Sequence, residues 1–212
     1  MLVIGVLYAS HPLTLPLMAD LLVVDVATDE GQLAFPLDGA AAVKWVAEAV
    51  RAGRVQMVGL SRRRPSRLVE RRLLPDPWDQ TNQDLDRQGV SADRRWTIPR
   101  ILEDDQDFSD EIEGYLKKHP DAVILLVCSK YRSGRIERSM GRLIERDLAN
   151  RVHVVPVDSD GVRPSDWWKS SDGQRVVVTE AIRAAAGWLC DSEPRHSMRR
   201  TDAEFRQAAI GR

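Results

Sequence analysis

The chain has little cysteine, only Cys128 and Cys190 in 212 residues, which argues against a disulfide-built scaffold and leaves no zinc spacing. No metal site is expected. Cys128 falls inside an apolar run, where a thiol behaves as a small hydrophobe. An excess of either charge is also lacking, since 31 cationic and 32 acidic residues leave a net charge of −1. Without a global positive field, a coat on nucleic acid is excluded, and local patches decide what binds.

A full membrane-spanning run is missing too, although the N-terminus comes close. Its first nineteen residues contain no Lys, Arg, Asp or Glu. Pro12 and Pro16 interrupt the stretch, Asp20 ends it, and no basic region precedes it, so a signal peptide is disfavoured. Two readings stay open for residues 1–24: a short membrane anchor or interfacial helix, or a buried lead-in segment. Length then allows one α/β domain over residues 25–191. Residues 192–212 form a charged tail, expected to be flexible.

Within the domain, two stretches could supply the first strand, residues 21–26 and 32–37. The second is better placed, because Asp38 can cap the following helix and Gly39 can relax the turn into it. Val43, Val46 and Val50 give that helix an apolar face, and Gly53 stops it. A strand over 55–60 completes a βαβ unit, the signature of a parallel sheet with crossover connections. Ser61, Arg62, Arg63 and Arg64 then lie at a strand's C-terminal end. A run of arginines is commonly a solvated turn, but this sheet edge is where open α/β folds bind ligands.

Residues 65–100 read as polar and irregular, with a short helix near 65–75, a loop from Asp76, and an edge strand ending before Pro99. A helix follows, with acids in its first turn and lysines in its last, an arrangement that complements the helix dipole. The centre of the chain is the apolar strand 122–127, the type buried on both faces of a parallel sheet. The loop of Ser129, Lys130, Tyr131, Arg132 and Arg135 follows it and opens a cationic helix. Helix-start N–H groups and cations delivered together predict a phosphate or carboxylate pocket. The alternative is that Ser129 caps the helix and the cations are solvated.

The next strand, near 152–157, carries Asp158 and Asp160 into a loop containing Trp167 and Trp168. Such rings either cap a core or wall a ligand. A last helix, from about residue 175, carries Glu180.

The apolar strand, the SKYRSGR loop, the strand ending near acids, the Trp pair and the helix with Glu180 together resemble the C-terminal half of the YdcF-like family. That group of unknown function includes SanA and ElyC. Ser129, Tyr131, Arg135, Trp167, Trp168 and Glu180 stand at positions matching its pattern, and the likeness extends more weakly back to residue 32. It implies a three-layer Rossmann-like α/β fold with a mainly parallel sheet flanked by helices. It also implies a bacterial protein, cytoplasmic or associated with the inner membrane through its N-terminus, with a role in the cell envelope.

The chain departs from that pattern where chemistry would sit. The family's glycine loop is reduced to Asp38-Gly39, its Ser-Gly-Gly is Ser61-Arg62-Arg63, and its loop histidine is Arg132. A guanidinium cannot act as a general base, which leaves Glu180, Asp158 and Asp160 as acid–base candidates. Two functions follow as expectations. One is an envelope protein that binds a phosphorylated or otherwise anionic small ligand, a nucleotide or lipid head group, through Asp38, Gly39, Ser61, Arg62 and the later loop. The other is a non-catalytic member serving as a binding or scaffold module.

Overall fold

Strict alternation along the central strands builds the molecule's layers. In the computed structural model, which describes residues 19–158, 162 and 166–190, strand β4 (Ile124–Ser129) sends Ile124, Leu126 and Cys128 to one face. Leu125 and Val127 go to the other. Every one of those side chains is buried, as expected for a strand covered on both sides.

Around it lie β1 (Gly31–Pro36), β2 (Val55–Arg63), β3 (Arg95–Leu102) and β5 (Val152–Val157), in the order β3-β2-β1-β4-β5 with every pairing parallel. On one face, α1 (Gly39–Arg51) and α3 (Pro77–Arg87) cover the sheet with Val43, Val46 and Leu85. On the other, α4 (Asp105–Lys118), α5 (Ser133–Leu143) and the short α6 (Arg146–Ala149) cover it with Phe108, Ile112, Ile136 and Met140. This is a three-layer, Rossmann-like α/β fold. Two further helices are the single-turn α2 (Arg67–Glu70) and the long α7 (Ser171–Cys190).

The structure chooses 31–36 as the first strand, close to the preferred stretch, whereas residues 21–26 form no strand. Instead Ala19 and Leu22 are buried in a third apolar cluster with Tyr131, Trp167 and Val177. Other boundaries shift for local reasons. Strand β2 runs three residues past Leu60, so Ser61, Arg62 and Arg63 belong to the strand, with a register irregularity against β3 between Leu60 and Arg62. Strand β3 continues through Pro99, which an edge strand tolerates because one side of it makes no ladder.

The expected loop at Asp76 is a helix, with Pro77 in its first turn and the Asp76 carboxylate accepting the Trp78 N–H at 2.9 Å. The cationic helix breaks at Ile144, giving α5 and α6. Residues 1–18 and 191–212, which hold most of the apolar N-terminal stretch and the tail, lie outside the described residues, as does Asp160. Among the described residues, no helix is long and apolar enough to cross a membrane.

Candidate functional site

Strand order reverses between β1 and β4, and in open α/β sheets the crevice beyond the C-terminal ends of such a pair is where ligands bind. Two loops meet there, the one after β1 and the one after β4. Gly39, at φ 65, makes the turn from β1 into α1 in the left-handed region that glycine adopts without a Cβ penalty. Asp38 precedes α1 at the N-cap position, but its side chain does not cap that helix. The carboxylate crosses the switch point instead. It accepts the Ser129 N–H at 2.7 Å and the Arg132 guanidinium at 2.9 Å, locking the two loops together.

From Ser129 the chain makes a 3-10 turn (Lys130–Arg132) into α5. Ser129 caps nothing with its hydroxyl, and the start of α5 is already occupied. Gly134 donates its N–H to the Leu22 carbonyl at 3.0 Å, and the Ser133 hydroxyl accepts the Val24 N–H at 3.1 Å. A Cβ on residue 134 would sit 2.8 Å from the Leu22 oxygen, so glycine there admits the lead-in segment. Among the helix-start donors expected to hold an anion, those of Ser129 and Gly134 are therefore engaged internally.

Cationic side chains converge at this edge. A cleft of about 250 Å³ is lined by Ser61 and Arg63 from β2, Arg132 from the turn, Arg135, Ile136, Ser139 and Met140 from α5, and Asp105 and Phe108 from α4. Leu37 closes it from the β1 loop. Carboxylates behind the cations fix their positions. Arg132 is held by Asp38, and Arg135 donates through Nε to Glu180 at 2.9 Å. Arg63 pairs with Asp105 at 2.7 Å. Each guanidinium has five N–H donors, and the Nε of Arg132 is buried with no partner among the described residues.

The remaining predicted residues divide. Arg62 points to Asp76 at 3.8 Å and Lys130 to the exposed Asp158 at 3.4 Å, both outside the cleft. Asp38 and Gly39 line a neighbouring depression with Pro77, Thr81 and Asp84. Tyr131 and Trp167 are core: Trp167 is 3% exposed and meets Trp168 edge-on at 6.0 Å. Trp168 packs half-buried against the same cluster. Neither ring lines the arginine cleft. Glu180, 4% exposed, gives both oxygens to arginines, the second to Arg183 at 2.7 Å.

Asp105, Phe108, Ser139 and Met140 escaped the sequence reading. Ser139 lies one helical turn beyond Arg135, so the i, i+4 spacing on α5 was the available signal. Asp105 sits among the first-turn acids of α4, where dipole complementation also accounts for a carboxylate.

Two titratable groups near the site are neutral at ordinary pH. The Cys128 thiol is pushed up to about 12, chiefly by burial and then by the Asp38 carboxylate, so it supplies no thiolate. Burial, followed by the nearby Asp158, Asp20 and Asp166, pushes the Tyr131 phenol up to about 12. Because the folded state holds this proton more tightly, Tyr131 supports the fold fully below the ordinary value of 10.0. That support declines as pH rises from there towards 12. Alkaline unfolding followed by tryptophan fluorescence is therefore expected to steepen over this window, and Tyr131→Phe is expected to flatten it. Equal slopes in both proteins would place the titration elsewhere.

Comparison with protein-family models, with curated proteins and with solved structures finds no match to this chain.

Proposed function

We propose that the protein binds a phosphorylated or otherwise anionic small molecule in the cleft lined by Arg63, Arg132 and Arg135. One observation carries this reading: three guanidiniums from three separate elements line a single cleft at the sheet's switch point. Phe108, Ile136 and Met140 add an apolar wall. That composition, convergent charged and polar groups beside an apolar wall, suits a small ligand with a charged end. Guanidinium forks match the oxygens of phosphate or carboxylate, and carboxylates behind Arg132 and Arg135 orient them in advance.

Kinship with the YdcF-like group, with the bacterial envelope setting it implies, belongs to the same reading and rests on the SKYRSGR loop and the Trp pair. Within it, a binding module is favoured over an enzyme. The position of the family's loop histidine holds a guanidinium tied to Asp38, and both oxygens of Glu180 are engaged by arginines. Neither group is free to relay a proton in this arrangement.

Thermal unfolding in inorganic phosphate, pyrophosphate or a nucleoside diphosphate tests the proposal, with sodium chloride matched for ionic strength. A ligand present at a hundred times its dissociation constant stabilises by about 2.7 kcal/mol. An upward shift with at least one phosphate compound and none with chloride is expected. Identical unfolding in all four would refute the anion site.

A further inference from the structure

Between β2 and α3 the chain leaves the sheet as an arch whose surface is exposed and partly apolar. Residues 66–75 are all exposed except the half-buried Val69. Leu68, Leu73 and Leu74 are 49%, 67% and 51% exposed. A single surface leucine is ordinary; three in seven positions on one protrusion are not.

The arch has a defined turn. Arg72 adopts the left-handed region at φ 58. The N–H groups of Leu73 and Leu74 both donate to the Leu68 carbonyl, at 2.8 and 3.3 Å. This folding back brings the three leucine positions into one knob.

Charge is distributed unevenly along the same stretch. Arg62, Arg63 and Arg64, nearer the sheet, each face an acid: Asp76, Asp105 and Glu103. Further out, Arg67, Arg71 and Arg72 take part in no ion pair among the described residues. Glu70 is the only acid between Ser66 and Pro75. The outer arch therefore presents three leucines beside three unneutralised cations.

We propose that this arch docks the protein on an anionic lipid bilayer. Leu68, Leu73 and Leu74 enter the boundary between head groups and acyl chains, and Arg67, Arg71 and Arg72 meet the lipid phosphates. Exposed leucines beside unpaired guanidiniums match the two parts of an anionic bilayer surface, its acyl boundary and its phosphates. Neither part suffices alone: peripheral attachment takes an apolar insertion together with a basic patch, and the basic part weakens as salt screens it. The inference stands on the arch and is independent of the ligand cleft.

Sedimentation of the full chain with vesicles tests it, using phosphatidylcholine alone and phosphatidylcholine mixed with phosphatidylglycerol. The protein is expected to sediment with the mixed vesicles and to be released as salt is raised. The pair Leu73→Ser and Leu74→Ser is expected to weaken binding about tenfold or more. The pair Arg67→Gln and Arg71→Gln is expected to weaken it about as much on the mixed vesicles at low salt. All four positions are exposed, and an unchanged unfolding temperature would verify that the variants fold.

Binding that survives the leucine changes overturns the proposal, because the membrane would then be held elsewhere, for instance by the apolar N-terminal residues. Sensitivity to the arginine changes alone reduces the arch to a charged surface and overturns it as well. Absence of sedimentation with both vesicle types does the same.

Discussion

Replacing Phe35 by alanine is expected to destabilise the protein by about 3–5 kcal/mol, the upper range for a single core truncation. Phe35 lies on β1, the middle strand of five, and is 1% exposed. Its ring meets Phe108 edge-on at 5.2 Å and Trp96 at 6.0 Å, tying α4 and the edge strand β3 to the centre. Gly59 on the adjacent strand leaves the space this ring occupies, for a Cβ there would stand 2.5 Å from it. Removing the ring opens a cavity that glycine cannot refill, so both the burial and the packing contacts are lost. Urea unfolding measures the cost through its midpoint, and a loss below about 1 kcal/mol would deny Phe35 this central position.

The double variant Arg132→Ala with Arg135→Ala is expected to abolish stabilisation by phosphate compounds, a loss of about 2.7 kcal/mol at a hundredfold excess over the dissociation constant. The two residues approach the cleft from the turn and from α5, so each contributes donors that the other cannot replace. Folding is expected to suffer less than binding. Asp38 keeps the Ser129 N–H and Glu180 keeps Arg183, so neither carboxylate is left without a partner. Lysine in both positions preserves charge but not the planar fork, and intermediate ligand shifts are expected from it. Ligand shifts equal to those of the unaltered protein would remove both arginines from the site.

The sequence patterns that proved informative were those set by backbone periodicity. A continuous apolar run at 122–127, a βαβ unit around Asp38, and amphipathic stretches ended by Gly53 or flanked by dipole-complementing charges were enough for the layers and for the sheet edge that holds the cleft. Side-chain partnerships were less legible, because they depend on which distant loops the topology brings together. Asp38 has the local appearance of a helix cap, yet it reaches 91 residues along the chain to Ser129. An unpaired carboxylate at a switch point meets a cation and a free N–H there, and these outweigh its own helix start.

Trp167 and Tyr131 illustrate the same difficulty. Both stand in polar, charge-rich loops, and both are buried because α7 and the lead-in residues 19–22 fold over them. Composition could not reveal that cover. The lead-in segment also takes the α5 donor at Gly134, a hydrogen bond between distant residues that helix-terminus reasoning alone could not foresee. Arg132 and Arg135 line the cleft, whereas Arg62 turns to Asp76, the cap of a helix read as loop.

Guanidiniums at the switch point are proposed to hold an anion, and a crystal structure of the full chain grown with inorganic pyrophosphate would reveal it. Pyrophosphate is expected within hydrogen-bonding distance of both Arg132 and Arg135, inside the cleft lined by Phe108 and Met140. Density for it only at other surfaces, or a cleft still without the anion at saturating concentration, would rule out an anion site between these arginines.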